Sequence, residues 1–431
     1  MAKRIFMTGE AGYHNLGDEA QALASAHRLR LYFPEAEIVA TGLDPLGAVL
    51  RHQARILPWP LTYYDLSSTY PTRLVRKVAR KLGANEDFLD PVAKGMDTIF
   101  EEQYQRNARF RSVLAEVEQA DFIFDMGHGG LNDVFDIFML CFLYYLAARL
   151  AKPLFISGQS VGPLWRPQSI KMLRETLPHA HTVGLRDKNV SRQILTDQVR
   201  IDTNQVRLAE IGDDTLALKA REPDLSIFSP SLAGLLQDGA FFAVEWRGTD
   251  YTQAMNSTEL LDPLVDAVTC AYQNTGLPPV FVPLSWEPGG DILAAARMHD
   301  LVQARIPLQV VWPYLQAAEI KWLLGRAHFG IGLSYHFHVF LLSQGIPSIG
   351  LYTNSYYDIK LRGAFAAFGY QLPPIRYPDG VRDGRTLDAA LTAVTQWSDG
   401  DRRSLIASAE ASCSQWHRAF QAFLHDNSLD K

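Results

Sequence analysis

Short runs rich in β-branched and aromatic residues alternate with amphipathic segments of helix length along most of this chain. This order of elements is typical of parallel sheets that are covered by helices. Because 431 residues exceed what one ordinary hydrophobic core organises, we expect two domains.

The first series of predicted strands begins at residues 4–8, which lead into a glycine-rich turn over residues 9–17. A helix is predicted to follow from about Asp18 to Tyr32, with Asp18 as its N-cap. The same strand-loop-helix order recurs after predicted strands at residues 121–126, 153–157 and 182–185.

Residues 221–239 interrupt this order, because they contain prolines, several serines and no sustained hydrophobic period, which is typical of a linker. A second series of predicted strands follows at residues 241–246, 280–284, 308–312, 329–333 and 348–351. We therefore predict an α/β protein with two Rossmann-like parallel-sheet domains, residues 1–222 and 240–400, that face a cleft in a GT-B-like arrangement. By analogy of fold, the final helix, about residues 402–425, is expected to cross back onto the first domain.

Residues 59–97 depart from this scheme, with scattered aromatic residues, a basic run and poor periodicity. We interpret them as an insertion at the rim of the cleft. The basic run either grips an anionic or lipid-linked glycan acceptor, with peripheral membrane contact, or forms a solvated helix face.

Composition excludes several classes of function. A net charge of −6 and a pI near 6.1 give no overall attraction for nucleic acid, so any anion site must be local. Cys141, Cys270 and Cys413 lie far apart, so neither a disulfide framework nor a thiolate zinc site is encoded. No other ligand cluster has metal spacing, and Asp213-Asp214 is an isolated pair, so we expect no metal requirement.

Targeting signals are also not recognisable in the sequence. The first nine residues are shorter than a secretory signal, and the most apolar stretch, residues 137–148, spans about 12 residues where a membrane helix needs about 20. We therefore expect a buried helix at residues 137–148 and a protein of the reducing cytoplasm.

The loops that follow the predicted strands are the expected ligand sites, because helix N-termini at the carboxyl edge of a parallel sheet favour anions. Gly12, Asn15 and Gly17 follow the first strand, although their spacing matches neither a Walker loop nor the dinucleotide fingerprint. Three glycines surround His128 in the loop at residues 127–130, which indicates a special backbone shape. A tight turn with an exposed histidine is the alternative interpretation of that loop.

The densest cluster of candidate residues lies at residues 330–338, at a predicted strand-to-helix junction. Gly345 is the expected C-cap of this helix and Pro347 the start of the next strand. His336 and His338 are two positions apart, so at most one of them faces the cleft. We expect His336 to face it and His338 to point away, although a single helical histidine is often a structural residue.

Several of these motifs together resemble the polysaccharide pyruvyl transferase family in order and spacing, from the first strand to about Lys360. The similar segments are GYHNLGDEA at residues 12–20, GHGGLND at 127–133, GQSVGP at 158–163, LRD at 185–187, the pair 213–214, and residues 332–347, in which His336 stands nine positions before Gly345. The chain departs from the family pattern at Ser334 and Tyr335, where the family has arginine and leucine. One expected cation is therefore missing, and Lys360 or Arg362 is our candidate to replace it.

The resemblance implies transfer of the enolpyruvyl unit of phosphoenolpyruvate to a sugar hydroxyl of a cell-surface polysaccharide or its precursor. Phosphoenolpyruvate would be a co-substrate, and no cofactor is expected. Protonation of its methylene carbon creates an oxocarbenium-like centre, so the site needs an acid, a base for the hydroxyl, and cations or amides for carboxylate and phosphate.

The resemblance also suggests roles for individual residues. The first loop and the Ser334-Tyr335 pair would contribute to substrate binding. Arg186 would clamp an anion with its planar fork, unless it only pairs with Asp187. The other roles are His336 as acid or phosphate ligand, His128 with the Gly129 amide as phosphate cradle, Gln159 as an orienting group, Asp18 or Asp133 as base, and Arg247 as a cleft cation.

Two other functions stay open from the sequence. A GT-B glycosyltransferase would bind a nucleotide sugar and would need a ribose-binding glutamate, for which Glu245, Glu287 and Glu319 are available without a defining motif. A non-catalytic sugar-binding protein on the same fold is the other alternative, which the missing arginine keeps open.

Overall fold

Two parallel sheets organise the protein. The computed structural model describes residues 2–11, 14–42, 50, 53–60, 95–135, 137–248, 258–287, 290–302 and 305–430. Gly12 and most of the predicted insertion at residues 59–97 lie outside these ranges. Within them, the sheets and their covering helices confirm the predicted α/β class with two Rossmann-like halves.

The first sheet has seven described strands in the order β3-β2-β1-β4-β5-β6-β7, and all neighbouring pairs are parallel. The strands are β1 (Arg4–Ala11), β2 (Glu37–Gly42), β3 (Arg55–Pro58), β4 (Phe122–Asp125), β5 (Leu154–Gln159), β6 (Thr182–Leu185) and β7 (Arg207–Glu210). The accompanying helices are α1 (Leu16–Tyr32), α2 (Met96–Arg106), α3 (Ala108–Gln119), α4 (Phe138–Arg149), α5 (Pro167–Thr176) and α6 (Val190–Gln193). Helix α7 (Pro230–Asp238) follows them in the chain and packs on the second sheet.

The second sheet has six described strands in the order β10-β9-β8-β11-β12-β13, again all parallel. The strands are β8 (Phe242–Val244), β9 (Pro279–Phe281), β10 (Gln309–Val310), β11 (Gly330–Gly332), β12 (Ser348–Tyr352) and β13 (Ile375–Arg376). The helices are α8 (Thr258–Thr275), α9 (Asp291–Val302), α10 (Ala317–Leu324), α11 (Tyr335–Leu342), α12 (Ser355–Phe368), α13 (Asp379–Arg382), α14 (Arg385–Thr395) and α15 (Asp399–Asp426).

Both sheets reverse their strand order at one point, between β1 and β4 in the first and between β8 and β11 in the second. At such a point the loops that leave neighbouring strands diverge to opposite faces and open a crevice at the carboxyl edge. The two crevices lie on one shared cleft, because residues from all four loops line the same cavity.

Helix α1 starts earlier than predicted. Its N-cap is Asn15, whose side-chain oxygen accepts a hydrogen bond from the Gly17 N–H at 3.1 Å, and Asp18 is in the first turn instead. Asparagine caps helices as well as aspartate does. Because Asn15 is the cap, the Asp18 carboxylate does not serve as the N-cap of α1.

Residues 221–239 contain more structure than a linker. Helix α7 starts with Ser229 as N-cap and Pro230 in the first turn, and it ends at Gly239, whose φ of 68° suits glycine. Its residues Leu232 and Leu236 are buried in the core of the second sheet. Ser229 and Pro230, which were interpreted as loop signals, are therefore helix-start signals.

Helix α15 returns to the first sheet. The rings of Trp416, Phe420 and Phe423 pack on Phe124 and Phe155 of that sheet, and the Trp416 indole N–H donates to the Ser157 hydroxyl at 2.8 Å.

The described part of the chain contains no helix with both the length and the apolar character that a bilayer crossing requires.

Candidate active site

A narrow cavity of about 90 Å³ lies where the two points of strand-order reversal meet. Both sheets contribute to its walls, so neither half forms the site alone. Its lining residues are Asn15, Asp18, His128, Gly129, Gly130, Phe135, Arg186, Arg247, Ser334, Tyr335, His336, Tyr356, Tyr357 and Lys360.

The first loop is held against the second sheet by backbone hydrogen bonds. The Leu16 N–H donates to the Leu284 carbonyl, and the Trp286 N–H donates to the His14 carbonyl, each at 2.9 Å. Asn15 forms an isolated antiparallel bridge with Ser285 between them. This pairing places the positive N-terminal end of α1 at the cavity.

Gly17 lies directly behind the imidazole of His336. A Cβ atom at this position would overlap Nδ1 of that ring, so only glycine allows α1 and α11 to approach so closely. The contact explains why a glycine stands in the first turn of a helix, where it is otherwise unfavourable.

Replacing Gly17 with alanine is therefore expected to displace the His336 ring, lower turnover and lower the free energy of unfolding by about 1–3 kcal/mol, as overpacking does. Denaturant titration and activity measurements check this. Gly234→Ala in α7 is the matched control, because a Cβ there meets nothing within 4 Å and should stabilise the helix slightly. Unchanged stability and turnover in Gly17→Ala would contradict the close contact.

Two hydrogen bonds fix the glycine-rich loop after β4, one to Asp214 and one within the loop. The Gly127 N–H donates to the Asp214 carboxylate at 2.7 Å, and the Gly130 N–H donates to Nδ1 of His128 at 3.0 Å. The proton of a neutral His128 ring is then on Nε2, which is buried without a hydrogen-bond partner among the described residues. Nε2 lies 3.6 Å from the buried Asp125 carboxylate, and the ring lines the cavity.

The Arg186 guanidinium has a partner at Nε, at Nη1 and on its flat face, but none at Nη2 among the described residues. Its Nε donates to the Ser160 hydroxyl at 2.6 Å, and its Nη1 lies 3.2 Å from the Asp213 carboxylate. The Tyr335 ring stacks on the guanidinium at 4.0 Å. Nη2 is buried and has no hydrogen-bond partner among the described residues.

Nη2 of Arg186 lies against Gly129. A Cβ added to Gly129 would lie 2.5 Å from that nitrogen and 2.9 Å from the Lys360 Nζ atom. Nη2 of Arg186 and Nζ of Lys360 therefore converge on the space beside Gly129, which has no side chain to fill it. This arrangement suits an anion with several oxygens.

Lys360 is the second of these cations. Its Nζ donates to the Tyr356 hydroxyl at 2.7 Å and lies 5.4 Å from the centre of the Tyr335 ring. Burial and the neighbouring Arg186 charge hold the pKa of Lys360 well below its usual value. A bound anion would stabilise its charged form. Arg362, in contrast, is half exposed and pairs with Asp358 at 2.6 Å.

His336 and Asp213 face each other at the base of the cavity. Nε2 of His336 lies 3.7 Å from the Asp213 carboxylate and has no hydrogen-bond partner among the described residues. Burial lowers the pKa of His336, although the Asp213 charge opposes this. Burial alone would raise the pKa of Asp213, but His336 and Arg186 hold it below its usual value. Asp213 was not among the predicted site residues.

His338 points away from the cavity. It is fully buried, with Nδ1 2.6 Å from the Ser348 hydroxyl and Nε2 3.1 Å from the Gly332 carbonyl. Burial lowers the pKa of His338 to about 3, so the ring is neutral and joins α11 to the sheet.

Ser334, which stands where the family has arginine, makes structural contacts. Its hydroxyl and its N–H both donate to the Glu245 carboxylate, the latter at 2.8 Å. Burial and the nearby Asp291 raise the pKa of Glu245 to about 7, against the opposing charge of Arg247. Arg247 lines the cavity and its Nε lies 3.3 Å from the Asp291 carboxylate.

Three described residues that were predicted for the site do not line the cavity: Gly17, which lies behind His336, and Asp133 and Gln159. The Asp133 carboxylate accepts from the Arg166 N–H at 2.6 Å and also from the Ser169 hydroxyl, so it caps the start of α5. The Gln159 amide donates to the Asp125 carboxylate at 3.0 Å and to the Met126 carbonyl at 2.9 Å. Both side chains are buried and support the loop after β4.

Phe135, Tyr356 and Tyr357 line the cavity but were not predicted as site residues. The two tyrosines lie on α12 one turn from Lys360, which was the only available signal for them. Across the described residues, no group of three histidine, cysteine or acidic side chains is arranged to hold a metal ion.

A family model described as polysaccharide pyruvyl transferase matches residues 15–355 of the chain. This span covers the described strands of both sheets except β1 and β13, and it includes the first motif from Asn15 onward and all the later motifs. A search of curated proteins found no match.

Solved structures share the architecture at low sequence identity. A putative UDP-N-acetylglucosamine 2-epimerase from Listeria monocytogenes has a TM-score of 0.59 and 13% identity, covering 98% of this chain and 96% of its own. A glycosyltransferase from Rickettsia africae has a TM-score of 0.54 and 10% identity, with 98% of each chain covered. The α,α-trehalose 6-phosphate synthase from Burkholderia multivorans has a TM-score of 0.52 and 13% identity, covering 100% and 99%. These likenesses identify the fold as GT-B-like and nothing finer.

Proposed function

The chain belongs to the polysaccharide pyruvyl transferase family, and from that premise we propose that it transfers the enolpyruvyl unit of phosphoenolpyruvate to a sugar hydroxyl. The acceptor would be a cell-surface polysaccharide or its precursor, free or lipid-linked. The reaction would take place in the cytoplasm.

The observation that carries this proposal is the unpartnered Nη2 of Arg186. Leaving a buried charged donor without an acceptor costs free energy, so the site is complete only with an anion in it. The Lys360 Nζ atom lies beside the same place, and a bound anion would raise its lowered pKa and favour its charged form. Phosphoenolpyruvate offers both a phosphate and a carboxylate to such a cluster.

The remaining lining residues supply the groups that the reaction needs. His336, once protonated, would give a proton to the methylene carbon, and an anionic donor beside it would raise its pKa and favour that state. Asp18 would accept the proton of the attacking hydroxyl as its oxygen bonds to the central carbon.

Phosphate then leaves with the electron pair of its C–O bond. A second hydroxyl of the same sugar can attack the resulting oxocarbenium centre and close a pyruvate ketal, and its proton would pass to His336, which gave up its own proton in the first step. Arg186, Lys360 and the His128 N–H would stabilise the charge that develops on the leaving phosphate.

A thermal-shift comparison tests the proposal. Phosphoenolpyruvate should raise the melting temperature, because a ligand at 100 times its Kd adds about 2.7 kcal/mol to folding stability, and UDP-glucose or GDP-mannose should not. Stabilisation by a nucleotide sugar alone would favour a glycosyltransferase. No response to any of them would favour a non-catalytic sugar-binding protein.

We also predict that activity needs no metal ion. Arg186 and Lys360 converge beside Gly129, where phosphate would lie, so side chains could neutralise its charge. Dialysis against a chelator should leave turnover unchanged, with a known magnesium-dependent transferase as the control. Loss of activity in the chelator and its return with a divalent ion would contradict this prediction.

A further inference from the structure

Phe135 stands out in the loop between β4 and α4, because it exposes 41% of its surface at the cavity. Its apolar neighbours Ile137 and Phe138 are buried in the core of the first sheet, and Val134 packs against the core of the second. The loop thus buries its other apolar side chains and keeps this aromatic ring at the surface.

A buried asparagine holds the loop in this shape. The side-chain oxygen of Asn132 accepts from the N–H groups of Val134 and Phe135 at 2.8 and 3.2 Å. Its amide donates to the Gly129 carbonyl at 2.5 Å, which joins Phe135 to the anion-binding loop. The Phe135 ring also meets Tyr356 edge-on, with 5.8 Å between ring centres. The ring is therefore held in place rather than left at a free surface.

We propose that Phe135 is the platform on which the pyranose ring of the acceptor stacks. This inference rests on the proposed function, and it names the part of the acceptor that the site recognises. The C–H groups on one face of a pyranose are weakly positive and apolar, and they match the electron-rich face of an aromatic ring. An exposed aromatic beside converging polar groups is the usual form of such a site.

The position of Phe135 relative to Asp18 supports this choice of ligand. Both residues line the same cavity, and the anion-binding groups Arg186 and Lys360 line it with them. A sugar stacked on the ring would have its hydroxyls within the polar cavity, where Asp18 is half-buried and can accept a proton.

Saturation-transfer NMR tests the inference, because it reports which ligand protons touch the protein even when binding is weak. The probes are methyl β-D-galactopyranoside and methyl α-D-mannopyranoside, each with the wild-type protein and saturating inorganic phosphate. The ring C–H protons of at least one glycoside should receive saturation, and Phe135→Ala should weaken that glycoside's binding by roughly 3- to 10-fold. Phe135→Tyr keeps the ring and should retain binding.

Trp165→Ala is the matched control, because Trp165 is 56% exposed on the same half of the protein but does not line the cavity. Equal binding by Phe135→Ala and wild type, no saturation with either glycoside, or equal losses in Phe135→Ala and Trp165→Ala would overturn the inference. The phosphoenolpyruvate thermal shift of Phe135→Ala is measured in parallel and should match wild type. A wild-type protein that ignores phosphoenolpyruvate but binds a glycoside through Phe135 would refute the proposed transfer alone.

Discussion

His336→Ala is expected to lower turnover by roughly 10²- to 10⁴-fold, the usual loss when a general acid is removed. The side chain lines the cavity, and its Nε2 has no hydrogen-bond partner among the described residues. Its removal should therefore cost little folding stability, no more than about 1 kcal/mol. Steady-state kinetics with phosphoenolpyruvate and denaturant titration measure the two effects.

His338→Ala is the matched control two positions along the same helix. It should keep most of the turnover of the folded enzyme but lose about 2–4 kcal/mol of stability, because the Ser348 hydroxyl and the Gly332 carbonyl lose their partner and a cavity opens. The opposite ranking of the two variants in turnover would show that the catalytic role of His336 is assigned to the wrong residue.

Nine of the thirteen described strands were predicted, because each of the nine is a short apolar run between turn residues. β4, β5 and β6 begin or end within one or two residues of their predicted bounds, since both faces of these strands are buried. β2, β3, β7 and β13 were not predicted, and the two residues of β13 are too few to show a period. The start of α1 was also wrong, because two good capping residues, Asn15 and Asp18, stand within one turn of each other.

The site was harder to predict than the fold, because its residues come from loops that are distant in sequence. The glycine-rich loops pointed to the correct edge of each sheet, as parallel α/β folds require. The sequence could not show that Asp133 would cap α5, or that Asp213 would lie between Arg186 and His336. Those contacts depend on long-range packing and not on local pattern.

Long-range packing also decides which residue could replace the missing arginine. Lys360 and Arg362 are two positions apart on α12, so one points inward and the other outward. Only the packing of the buried face of α12, which includes Tyr356 and Leu361, determines that Lys360 is the inward one. Lys360, on the helix after the histidine, is therefore our proposed replacement for the family's arginine.

Arg186→Ala is expected to weaken phosphoenolpyruvate binding by about 10- to 150-fold, because a charge-assisted hydrogen bond to a buried anion is worth about 1.5–3 kcal/mol. Arg186→Lys should recover only part of this loss, since an ammonium cannot present two parallel N–H groups and would not stack on the Tyr335 ring in the same way. Calorimetric titration of phosphoenolpyruvate and of inorganic phosphate gives both affinities.

The interpretation of this experiment depends on separating binding from folding, because Arg186 also pairs with buried Asp213. Each variant is therefore titrated at a temperature where denaturant curves show it to be folded. Arg362→Ala is the control, because that arginine is half exposed and pairs with Asp358 away from the cavity, so its loss should leave both affinities unchanged. If Arg186→Ala binds phosphoenolpyruvate as tightly as the wild type, the role of Arg186 is to neutralise Asp213 and pack against Tyr335. The anion would then bind elsewhere, and Lys360 and Arg247 would be the next residues to replace.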